Sequence, residues 1–185
     1  MNTIKAPTQF GLPAYNEMLD CVLQGYDDTC AVKSQEIILN AAGIPVNEET
    51  LRLEAYQQGW YRPGSGTPME DVGKLMEMHG LEVSRQTHGS IYHLVNETSQ
   101  GHPVIVGVDS GELWLPGPDE SFEDIIRGPI ADHALIVGGI TFQDDFSGGS
   151  VSLIDPGTGD FGKEYDLDVF LDAWADSDNF MVTIK

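Results

Sequence analysis

Apolar residues in the first half of the chain recur at helical spacing, whereas in the second half they gather into short β-branched runs. Asp27, Asp28 and Thr29 offer capping oxygens directly before AVKSQEIILNAAG. Within that stretch Val32, Ile37, Ile38 and Ala41 share one apolar side, and Gly43 supplies a left-handed stop. This predicts a helix with Cys30 in its first turn. A second helix is predicted from Asn47 through EETLRLEAYQQ to Gly59. Thr67, Pro68 and Glu70 form a T-x-x-E box with proline at the first helical position, predicting a third helix that ends at Gly80. A short fourth should start at Ser90 and cover IYHLVNETS before Gly101.

Beyond Gly101 the period changes. PVIVGV (103–108), ALIVGGI (134–140) and VSLI (151–154) are bounded by turn residues, as central strands should be. Asp166 caps a last helix over LDVFLDAWAD, and NFMVTI (179–184) closes the chain as a further strand. Helices first and strands later predict an α+β fold, with an N-terminal helical part carrying the Cys30 helix packed on a C-terminal, largely antiparallel sheet. The first twenty residues, broken by Pro7, Gly11 and Pro13, read as an irregular arm (1–20) ahead of a single domain (21–185). At 185 residues and 41% apolar content the chain suits one core rather than two.

Charge narrows the choice of partner. Thirty acidic residues against nine basic ones leave a net charge of −21, which repels nucleic acid and anionic membranes, so neither is an expected partner. Seventeen of the acids follow Val108, opposed only by Arg127, Lys163 and Lys185. That imbalance suits a basic peptide or protein substrate, and it suits plain solubility or a salty habitat better. No run approaches the roughly 20 apolar residues of a membrane span, and MNTIKAPTQFGLPAY lacks the pattern of a secretory signal. Cys21 and Cys30 are too few for a disulfide framework, and thiols are expected.

A thiol attacks as thiolate, and a helix N-terminus favours that anion through its dipole and free N–H groups. Cys30 occupies such a position, although most free cysteines are simply small buried hydrophobes, so its partners decide. His133 directly precedes the strand ALIVGGI, and Asp155 directly follows VSLI. Two paired strands would therefore present an imidazole and a carboxylate at fixed separation, as a base and the group that orients it require. Gln24, six residues before Cys30, is placed to donate to an oxyanion together with the Cys30 N–H.

Taken together, Gln24 to Cys30, GTPMEDVGKLMEMHGL, HPVIVGVD, DHALIVGGI and LIDPGTG resemble the bacterial C39 and C39-like branch of papain-like cysteine peptidases, from about Gln24 to Phe180. The resemblance implies a Cys-His-Asp triad of Cys30, His133 and Asp155, with Gln24 as the oxyanion donor and no cofactor. Ala31 stands where the family often has glycine, and TFQDDFSGGS lengthens the hairpin before Asp155. The same triad also serves transglutaminase, deamidase or acyltransferase chemistry, and a papain-like fold can serve as a binding module without catalysis.

Three aromatic residues are candidates for substrate binding. Trp60 and Tyr61 sit in GWYRPGSG, read as a flexible connection along one cleft wall, and Trp114 lies in the long acidic stretch Asp109–Asp132, read as the opposite wall or a lid. His79, His88, His93 and His102 have neither the spacing nor the partners of a metal site, and no metal is expected.

Overall fold

The computed structural model describes residues 8–11, 22–114, 131–143 and 148–185. Seven strands form one sheet with every neighbouring pair antiparallel: β1 (Thr8–Gly11), β2 (Val83–Gln86), β3 (Val104–Val108), β4 (His133–Phe142), β5 (Gly149–Asp155), β6 (Asp160–Asp166) and β7 (Met181–Ile184). The order is β2-β7-β3-β4-β5-β6, with β1 added to β4. Helices α1 (Cys30–Ala41), α2 (Glu48–Gln58), α3 (Lys74–Met78), α4 (Ile91–Ser99), α5 (Ser110–Trp114) and α6 (Leu167–Ala175) cover both faces.

The continuous apolar runs of the central strands follow from this layering. Ile105, Ala134, Ile136 and Ile154 pack into one core with α1, α2 and α3. Their neighbours Val104, Val106, Leu135, Val137 and Leu153 pack into a second core with α4, α5 and α6. A strand covered on both faces has no polar side to alternate with. In the second core Phe170 and Trp174 stack with ring centroids 5.8 Å apart, and the indole N–H of Trp174 donates to the Phe180 carbonyl at 2.8 Å. Burying side chains of this size contributes about 1.5–3 kcal/mol each.

Several expectations are met closely. Asn47 caps α2 by accepting from the Thr50 N–H at 2.9 Å, Gly59 ends it with φ +77°, and Ser90 opens α4 in a capping box completed by His93. Three expectations need correction. Residues 8–11 of the stretch read as an irregular arm form β1: β3 covers one edge of β4 from His133 to Val137, and β1 covers that edge from Gly139 to Phe142. This short strand is specified by its partner's free edge rather than by a pattern of its own.

The third predicted helix breaks into a 3₁₀ turn (Met69–Asp71) and α3, and the expected capping box is absent. Gly73 makes the break at φ +94°, where a Cβ would lie 2.9 Å from Val182 Cγ1 and 3.0 Å from Val83 Cγ1. The freed Gly73 and Leu75 N–H groups donate instead to the buried Gln35 side chain at 2.9 and 3.2 Å. Finally, β2 and β6 were not foreseen. They are the outer strands of the sheet, and VSRQ and DFGKEYD lack the apolar run that marks the central strands.

Candidate active site

On the sheet side, His133 opens β4 and Asp155 closes β5. The antiparallel register pairs Ile136 with Ile154, so the start of one strand lies beside the end of the other. His133 Nε2 is 2.7 Å from Asp155 Oδ1. That oxygen also accepts from the Gly157 N–H at 2.8 Å, and Asp155 Oδ2 accepts from Trp114 Nε1 at 2.9 Å. The indole meets the imidazole edge-on, with centroids 5.2 Å apart. Trp114 arrives there because Asp109 accepts from the Gly111 and Glu112 N–H groups at the start of α5, while Asp132 accepts from Ser110. Gly157 has no room for a side chain, since a Cβ would fall 2.9 Å from His133 Cε1.

These contacts shape the ionisation of the pair. Burial disfavours charge on both groups, and the local partners outweigh it. His133 is pushed up to about 10 against its burial by the hydrogen bonds and charges of Asp155 and Cys30. Asp155 has no exposed surface, yet the His133 ring, the Trp114 indole and the Gly157 N–H hold its carboxyl below the usual aspartate value. Because Asp155 faces Nε2, the other ring nitrogen is left to face Cys30, which lines the same cleft and whose charge contributes to the rise.

On the helix side, Cys30 is half-buried at the tip of α1, its thiol free of any disulfide. Neither Asp27, Asp28 nor Thr29 caps the helix through its side chain. Thr29 turns its hydroxyl to the Tyr26 carbonyl at 2.9 Å and to Glu48 at 2.5 Å. Asp28 accepts from the Tyr61 hydroxyl at 2.8 Å and from the Gly64 N–H at 2.6 Å. Gln24 is tied by its backbone N–H to the Pro156 carbonyl at 2.9 Å, which joins the loop before Cys30 to the turn after Asp155. Its Nε2 donates to the Tyr26 carbonyl at 2.7 Å, and Gln24 is not among the residues lining the cleft.

A cleft of about 460 Å³ opens along Cys30 and His133. One wall is Gly64 to Met69; the other includes Ile105 to Gly107, Asp132 and Phe180. The segment expected to supply a wall does so through its glycines, not its aromatics. Tyr61 is only 3% exposed and anchors Asp28, Trp60 packs against the first core, and neither lines the cleft. Trp114 is likewise absent from the cleft wall and acts on Asp155. Most of the acidic stretch 109–132 and Cys21 lie outside the described residues. His79 pairs with Glu54 and His102 with Glu97. Among the described residues no three His, Cys, Asp or Glu side chains are grouped to hold a metal, and no helix is long and apolar enough to cross a membrane.

An α+β molecule with a cysteine at a helix tip facing a strand-borne His–Asp pair has the architecture of the papain-like cysteine peptidases. The sequence matches the Peptidase_C39 like family over residues 9–180, and the chain belongs to that family. No curated protein matches it. Among solved structures it is similar to a protein described as a C39-like peptidase from Bacillus anthracis, with a TM-score of 0.69 at 15% identity over 96% of this chain and 98% of that one. It is also similar to the peptidase domain of Streptococcus ComA, a bifunctional ABC transporter involved in quorum sensing: TM-score 0.62, 14% identity, covering 90% and 97% of the two chains. A double glycine motif protease from an AMS/PCAT transporter, in complex with its leader peptide, aligns with a TM-score of 0.58 at 14% identity over 89% and 90%.

Proposed function

We propose that the chain is a cysteine peptidase that cleaves a peptide or isopeptide bond by thiol acyl transfer. The observation that carries this reading is the His133–Asp155 pair, 2.7 Å apart, opening onto the same cleft as Cys30 at the tip of α1. With the Cys30 proton held on His133, the sulfur attacks the scissile carbonyl carbon, whose oxygen gains the negative charge. The same ring then gives its proton to the leaving amine as the C–N bond breaks, leaving a thioester on Cys30. Water, deprotonated by His133, adds to the thioester, and collapse releases the carboxylic acid and the thiol. Asp155 holds the ring in the tautomer that can do this and stabilises its charged form.

For the oxyanion the reading uses two donors. Cys30 is the first residue of α1, so its N–H has no partner within the helix. The second donor is Gln24, whose amide nitrogen carries two hydrogens, one of them engaged by Tyr26. Losing such a donor costs about 10²–10³ in rate. An extended peptide fits a cleft walled by glycines, and the exposed Asp27, Asp132 and the net charge of −21 favour a basic one.

The test is Cys30→Ala, which should abolish peptide turnover and labelling by peptidyl thiol-reactive warheads while leaving the circular dichroism spectrum unchanged. Labelling that persists on Cys21 at the original rate would contradict the assignment.

A further inference from the structure

The loop that precedes Cys30 is held by a carboxylate that the chemistry above does not use. Glu48 is the first residue of α2, but it is not needed there as a cap, because Asn47 already fills that role. Its side chain is only 12% exposed and reaches back to the loop between Gln24 and Cys30. Both of its oxygens accept from the Gly25 N–H, at 3.0 and 2.9 Å, and one also faces the Thr29 hydroxyl at 2.5 Å. Lys33 Nζ, one turn into α1 and itself buried, lies 2.9 Å from Glu36 and 4.0 Å from Glu48, so one buried cation is shared by two carboxylates.

The placement is what matters. Gly25 is the immediate neighbour of Gln24, and Thr29 is the immediate neighbour of Cys30. One carboxylate therefore grips the residues adjacent to both proposed oxyanion donors and sets the distance between them. The contrast with the next residue is instructive: Glu49 also reaches the loop, through the Tyr26 hydroxyl at 2.8 Å, but it is 51% exposed, where water weakens such contacts. We infer that Glu48 is a positioning residue for the oxyanion loop, acting through Gly25 and Thr29 on the spacing of Gln24 and the Cys30 N–H. The inference rests on the acyl-transfer reading. Its physical basis is that donors aimed at a developing charge stop working when displaced by about an ångström.

Two probes separate this role from a merely structural one. Acylation of Cys30 by p-nitrophenyl acetate passes through an oxyanion, whereas alkylation by iodoacetamide does not; both products are located on Cys30 by peptide mass mapping. Glu48→Gln keeps the shape but replaces one accepting oxygen with a donor, and Glu48→Ala removes the grip altogether. In both, acylation should fall about tenfold or more while alkylation stays at the wild-type rate. Thr29→Val, which deletes one partner of the carboxylate, should show a smaller fall of the same kind. Equal rates in variant and wild type would overturn the inference. So would a parallel loss of both reactions, or a Glu48→Gln chain that no longer folds, since the carboxylate would then serve the fold. A wild-type Cys30 that is acylated no faster than in the urea-unfolded chain would instead sink the acyl-transfer reading itself.

Discussion

The two halves of the molecule hold their functional groups by different means. On the sheet side, His133 and Asp155 ride on neighbouring strands whose spacing is set by backbone hydrogen bonds and sealed by apolar cores on both faces. On the helix side, Cys30 and the loop before it are held by polar side chains that reach across long stretches of sequence: Glu48 to Gly25, Tyr61 to Asp28, and Gln35 to Gly73. From Ala31 to Leu39 α1 is buried on all sides, and that stretch includes Lys33, Ser34, Gln35 and Glu36. A backbone ladder tolerates changes of side chain and loses stability gradually as cavities open. A buried polar network is costlier to edit, because deleting one partner strands the other without water.

The largest effect expected on the sheet side is chemical. Asp155→Asn should lower kcat/KM by about 10⁴ with little change in fold, because an amide favours the wrong imidazole tautomer. Steady-state kinetics on any peptide the wild type cleaves would check it. Next comes packing: Trp174→Ala should cost about 3–5 kcal/mol in denaturant unfolding while leaving the site's contacts in place.

On the helix side, Gln35→Met deletes the acceptor shared by the Gly73 and Leu75 N–H groups, at about 1–3 kcal/mol for a stranded donor. The smallest effect belongs to Trp114→Phe. It removes the donor to Asp155 but keeps a ring over His133, so activity should fall about tenfold or less. A loss much beyond that would mean that the indole does more than orient the carboxylate.

These two modes of support also explain what could be read in the sequence. Cys30, His133 and Asp155 stand at the ends of elements with strong local patterns: a helix start, the first residue of an apolar strand and the last of another. The fold class and the central strands were legible for the same reason. Contacts that span many residues leave no periodic trace, so the grip of Glu48, the anchoring of Asp28 by Tyr61 and the turn of Trp114 onto Asp155 were not legible. Local signals also misled where tertiary contacts override them. Thr67–Glu70 has the letters of a capping box, but Gln35 and Gly73 reset that helix start, and the aromatics of GWYRPGSG are drawn inward as anchors. In LIDPGTG, the glycine two residues after the acid was the one available hint of a crowded site.

Charge coupling links the two halves, and its pH dependence has a definite sign. His133 is raised from 6.5 to about 10, so its stabilisation is complete below 6.5 and is lost as pH rises through 10. Asp155 is depressed from 3.8, so its contribution is present above that value and is lost as pH falls through its lower folded value. The unfolding free energy should therefore decline on the alkaline side, and less steeply in Asp155→Asn, which chemical denaturation across pH would reveal.

The most direct test of the link between helix tip and sheet edge follows the His133 Cε1 proton by NMR from neutral to alkaline pH, in the wild type and in Cys30→Ala. The ring should stay protonated to about 10 in the wild type and titrate at clearly lower pH once the sulfur is gone. A ring that titrates near 6.5 in both proteins would show that thiol and imidazole are not coupled, and would contradict the account.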